Sequence, residues 1–118
     1  MISELIQRVF ATRNAPHLEH WRIKSGYNHE TLGEFYESVI EKLDAVVEAN
    51  IAVFGKISVG ALPEQPKVAD IVEHLEDDLV WIGKNRKDLG GKVPAIDNML
   101  QDLEGVYLHA LFKLKNLV

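Results

Sequence analysis

Apolar residues recur at helical spacing in four stretches of this chain. Ile2, Leu5, Ile6 and Val9 make the first stripe, and Leu32, Tyr36, Val39, Leu43 and Val47 the second. Ala69, Val72, Leu75, Leu79 and Ile82 give a third, and Ile96, Leu100, Leu103, Tyr107, Ala110 and Leu114 a fourth. Steps of three and four residues keep one side of a helix apolar and leave the other to polar groups. The pattern predicts helices near 2–24, 28–54, 67–89 and 94–117. Each would be roughly 36 Å long at ~1.5 Å per residue, which makes an all-α four-helix bundle the expected fold.

The breaks between stripes set the expected topology. Ser25-Gly26-Tyr27 reads as a short turn, with Asn28 as the N-cap of the second helix. Gly90-Gly91-Lys92 ends the third helix, and Pro94 falls where a first helical turn tolerates proline. Pro16 interrupts the first stripe and predicts a kink or break near Asn14. Short turns make the first two helices one antiparallel hairpin and the last two another. Between them lies GKISVGALPEQPK, residues 55–67, which can reach ~43 Å at ~3.3 Å per residue, the full length of a bundle. That reach allows a long crossover between helices two and three, the mark of the ferritin-like topology; a simple up-down loop is the alternative.

Composition narrows the class. The 118 residues, 47% hydrophobic and 26% charged, read as one domain over 1–118. No apolar run approaches the ~18 residues of a membrane helix and no signal-peptide pattern opens the chain, so no membrane association is expected. Cysteine is absent, which removes a disulfide frame, a thiolate nucleophile and a zinc knuckle, and agrees with a cytoplasmic setting. A net charge of −5 argues against DNA as a partner, because a non-specific grip on phosphates needs clustered Lys and Arg.

Candidate chemistry concentrates in HLEHWRIKSGYNHE, residues 17–30. Extending the first stripe in 3.6-residue steps reaches Arg13, then Pro16 or His17, then His20, so His20 is phased with the core side. On helix two, Glu34, Glu37, Glu41, Asp44 and Glu48 form an acidic band on the flank of the apolar stripe. Ile40 and Ile51 lie within roughly 40° of Asp44 at ~100° per residue, so the band suits contact with another subunit. Carboxylates together with imidazoles are the donors that iron, manganese or zinc take. The Glu-x-x-His pairs of an intrachain di-iron site are missing: Glu73 and His74 are adjacent, and Gly105 and Val106 precede His109. His29 and Asp44 are 15 residues apart, about 22 Å along a helix, too far for one metal. Two chains paired antiparallel across a two-fold axis would bring imidazoles of one to carboxylates of the other and create two equivalent sites.

These residues resemble a known family. H-L-x-H-W-x-x-K-S at 17–25, H-x-x-L-G-x-F-Y at 29–36 and D-x-x-V-E-A at 44–49 are similar to the DNA-protecting protein from starved cells (Dps), within the ferritin-like superfamily, and most of all to its short, often phage-encoded relatives. The likeness is best over residues 17–55. It implies a ferritin-like bundle with an intersubunit ferroxidase site, iron as the metal, and residence in the cytoplasm of a bacterium or phage-infected host. His20 and His29 from one chain, with Asp44 and Glu48 from its two-fold mate, take the ligand roles. It also implies a homodimer or larger homo-oligomer.

The sequence departs from the family pattern in places. Gly33 stands where a further acid belongs, the turn between the two histidines is shorter, and the basic tail that commonly carries DNA binding is not seen. The competing class is a non-catalytic interaction bundle, for example phage-encoded, that has lost the metal site. Elsewhere, His17 reads as a surface residue or auxiliary ligand, and Trp21 and Trp81 as core or interface. Lys84, Arg86, Lys87 and Lys92 form a basic knot that is solvated or meets an anion.

Overall fold

The computed structural model describes residues 1–22, 26–60 and 70–116, and within these the side chains of 1–14, 30–60 and 70–116. Helices α1 (Ile2–Arg22), α2 (Gly26–Phe54), α3 (Ile71–Asn85) and α4 (Pro94–Asn116) account for most of the chain. No strand occurs among the described residues. The fold is an all-α helical bundle, and no described helix is long and apolar enough to cross a membrane.

Local chemistry explains the ends. Asp70 has extended backbone (φ −142°), and its side chain accepts from the Val72 and Glu73 amides at 3.0 and 3.4 Å. The helix opens at Ile71, where Asp70 satisfies two of the unpaired amides of its first turn. Past Asn85 the chain continues through Arg86 into a π-helical turn, Lys87–Gly91. Its wide hydrogen bond, Gly91 N to Arg86 O at 2.8 Å, together with Gly90 at φ 97°, has the form of a Schellman cap. A side chain at Gly90 would also place its Cβ 2.9 Å from Asn50 Oδ1.

Two local expectations give way. α1 runs as one helix through Pro16 to Arg22, so of the kink or break expected near Asn14 there is no break. A proline removes one intrahelical bond, and here that loss does not end the helix. α2 begins at Gly26, so Asn28 lies inside its first turn and is not its N-cap. The connecting turn and the expected helix start at 67–69, with Ala69, lie outside the described residues.

α1 packs on α2 and α3, and α4 packs on the same two helices. Side-chain contacts fix the directions. Thr12 meets both His74 and Asp78, and Arg8 meets Asp78, so α3 runs against α1. Arg86 reaches Asp97 near the start of α4 while Tyr107 reaches Asp78, so α4 runs against α3. Lys113 at the end of α4 meets Glu34 near the start of α2 at 3.1 Å.

The expected stripes form the core with shifts on α2 and α3; on α3, Val72 and Leu79 are only half-buried and Asp78 is buried. Leu5, Val9, Leu32, Val39, Leu43, Leu75, Ile82, Leu100, Leu103 and Tyr107 are buried. On α2, Phe35 and Val46 are buried, whereas Tyr36 and Val47 are only half-buried. Phe35 turns its ring edge-on to Tyr107, with centroids 5.2 Å apart.

Candidate functional site

The four residues expected to share a metal fall on the hairpin of α1 and α2. His20 and His29 lie in the last turns of α1 and the first turn of α2; their side chains, with those of His17 and Trp21, lie outside the described residues. Asp44 and Glu48 are one turn apart on α2, both exposed, and neither engages another side chain among the described residues. Ile40 beside them is half-buried, and Ile51 is 41% exposed. α2 is continuous from Gly26 to Phe54, so His29 and Asp44 are separated by about 22 Å of helix at ~1.5 Å per residue. The chain does not bring its own His29 to its own Asp44. Among the described residues, no three His, Asp or Glu side chains converge on a point that could hold a metal ion.

A second constellation lies in the bundle interior, and the sequence reading missed it. Asp78, on the buried side of α3 between Leu75 and Ile82, is 3% exposed. Its Oδ2 accepts from the Tyr107 hydroxyl at 2.9 Å and from the Thr12 hydroxyl, and its Oδ1 from Arg8 Nη1 at 3.2 Å. Because the Thr12 hydroxyl donates to Asp78, its oxygen accepts from His74 Nε2, 2.8 Å away. Arg8 also lies 4.8 Å over the ring of Trp81, which is half-buried against the core. Burial, and after it the neighbouring Asp78 carboxylate, push the Tyr107 phenol well above its ordinary value, so it stays a protonated donor. Three donors from two other helices thus satisfy this buried carboxylate from within the bundle. The missed cue was a charge at i+3 from Leu75, in a slot of the core stripe.

The basic knot is organised by acids. Arg86 donates to both oxygens of Asp97 at 2.9 and 3.0 Å and to Glu104 at 3.2 Å. Asp97 first, and Glu104 with it, hold the guanidinium in its charged form, against the opposing effect of burial. Burial raises the Glu104 carboxyl, and Arg86 opposes that shift. Lys84, Lys87 and Lys92 remain exposed around this group.

Between α2 and α4 lies a groove of about 510 Å³, with Phe35, Val106 and Ala110 in its floor and Glu34, Lys42, Asp102 and His109 on its rim. Gly105 also lines it, and a Cβ there would meet no heavy atom within 4 Å. The rim charges are mixed in sign and select no ligand class.

Residues 20–114 match a family of unknown function, DUF5856, and the chain belongs to that family. No curated protein and no solved structure matches the chain.

Proposed function

We propose that this member of a functionally unassigned family takes Fe(II) as substrate at sites shared by two copies of its chain. Each site pairs His20 and His29 of one copy with Asp44 and Glu48 of the other. Fe(II) gives up an electron to oxygen or peroxide, and the carboxylates favour the ferric product because hard oxygen donors hold the higher charge more tightly. DNA stays outside the proposal on charge.

The observation that carries the reading is the exposed Asp44–Glu48 pair, unengaged among the described residues and one helical turn apart on a continuous α2. Two carboxylates at this spacing lie on one side of the helix and are available to a partner. A ferritin-like bundle is supported by the helix directions. Leu89, after α3, meets Asn50 near the end of α2 at 3.2 Å, so α3 and α2 run the same way. Gly60 N bonds Ser3 Oγ at 3.2 Å at one end of the bundle, whereas α3 opens toward the other. A chain that returns between two parallel helices makes the long crossover.

Anaerobic Fe(II) titration followed by oxidant tests the activity, and mutant mixing tests the sharing. His20→Ala and Asp44→Ala should each abolish oxidation alone. After subunit exchange, a heterodimer carries one site with both lesions and one with neither, so about a quarter of sites should return. Mixtures that recover nothing, despite verified exchange, overturn the shared site. Gly33, half-buried on α2 where the resemblance wants an acid, favours the competing interaction bundle; on that reading the wild type binds no Fe(II).

A further inference from the structure

We propose that the outer face of α3, with the adjoining side of α4, is a self-complementary surface that binds a second copy of this chain antiparallel across a two-fold axis at Val80. Glu73, Glu76, Val80, Lys84 and Lys87 lie at helical spacing and are all exposed. Their order is palindromic in charge. Glu76 and Lys84 stand four residues either side of Val80, and Glu73 and Lys87 stand seven residues either side. Reversing one copy against another sets the acidic half of each stripe on the basic half of its mate, twice over. A parallel pairing in the same register would set like on like.

The centre of the face is apolar. Val80 is 56% exposed, and Leu108 and Phe112 on α4 are each 55% exposed. They border a groove of about 380 Å³ between α3 and α4, closed at its sides by Glu76 and Lys115. Those two make a 3.5 Å ion pair with both side chains about half exposed, an arrangement typical of a polar rim. Glu73, Lys84 and Lys87 engage no side chain among the described residues. The helix dipole favours an acid in the first turn and a base in the last, which accounts for Glu73 and Lys84 individually. It does not account for three large apolar side chains left in water between them, and a cluster of that kind marks an interaction surface. The charges choose the partner: a face that complements its own reverse selects another copy of itself.

This face is separate from Asp44 and Glu48 on α2, and the inference does not rest on the iron reading. Since the chain has no cysteine, Val80→Cys gives a single-thiol probe at the proposed axis, with the exposed Asp102→Cys at the α2–α4 groove as control. A short bis-maleimide should join Val80→Cys copies well above the control. Two charge variants, Lys84→Glu with Lys87→Glu and Glu73→Lys with Glu76→Lys, should each lose this crosslink and raise the dissociation constant by roughly tenfold, since every pair becomes like-charged. Mixed together, they should pair with each other. Phe112→Ser, which removes an exposed side chain, should weaken association by roughly tenfold as well. A Val80→Cys protein that crosslinks no better than the control, or charge variants that self-associate like the wild type, overturns the proposal.

Discussion

The Tyr107 hydroxyl donates to Asp78 Oδ2 at 2.9 Å in the interior of the bundle, where the tyrosine is fully buried and the aspartate 3% exposed. Three further side chains meet around that bond between α3 and α4: Arg8 and Thr12 from α1 and His74 from α3. A network of this kind ties three helices into one relative alignment, because sliding any of them strands a buried polar group.

Tyr107→Phe should therefore destabilise the fold by about 1–3 kcal/mol, the cost of leaving a buried acceptor short of a donor. Urea unfolding at neutral pH measures it. The pH dependence is a second readout. The phenol of folded Tyr107 lies well above its ordinary value of 10.0, so the folded state holds its proton more tightly than the unfolded chain. Its contribution is complete below that ordinary value and declines as pH rises above it. Wild type should lose more stability between pH ~9 and ~11 than Tyr107→Phe does; equal losses would contradict the assignment.

Asp78→Ala should cost about 2–4 kcal/mol, since it leaves the Thr12 and Tyr107 hydroxyls without their acceptor and opens a gap beside Leu75 and Ile82. Asp78→Leu should recover part of the loss when combined with Tyr107→Phe and Thr12→Val. Replacing a whole polar cluster by apolar groups is milder than breaking it. Thermal melts of the four proteins decide the order.

Gly90→Ala should destabilise by about 1–3 kcal/mol, because φ at 97° disfavours a side chain and the new Cβ would lie 2.9 Å from Asn50 Oδ1. Asn50 is buried and donates to Val46 O and Leu89 O at 2.9 and 3.2 Å. Adding Asn50→Ala should therefore relieve the close contact and make the double variant less costly than the sum of the singles. A double-mutant cycle by denaturant unfolding gives the coupling.

Asp44→Asn with Glu48→Gln should leave monomer stability within about 0.5 kcal/mol of wild type, as both side chains are exposed and, among the described residues, unengaged. The same variant should abolish Fe(II) oxidation under the proposed function. A large loss of stability would instead give the pair a structural role.

Helix existence, the Gly90-Gly91 break before Pro94 and the main core stripes were legible in the chain because they depend on neighbours within a turn. Leu5, Val9, Leu43, Leu100 and Tyr107 are buried as their spacing required. Asp70 as a cap was local chemistry too, although the stripe beginning at Ala69 concealed it. The rotation of α2 was not legible. Phe35 and Tyr36 lie on either side of the stripe, and which one is buried depends on α4 packing against the Phe35 side, 72 residues along the chain at Tyr107.

The sequence by itself determined an all-helical bundle and placed Asp44 and Glu48 on one side of a single long helix, since helical periodicity is a property of adjacent turns. Only the tertiary structure decided that Asp78 is a core residue. Its burial depends on donors from Thr12 and Tyr107, 66 and 29 residues away, and a carboxylate can leave water only when such partners arrive with it. Pairing of helices likewise decided that Val80, Leu108 and Phe112 share one exposed face. Two helices distant in the chain contribute to that face, and no periodicity within either one specifies how they meet.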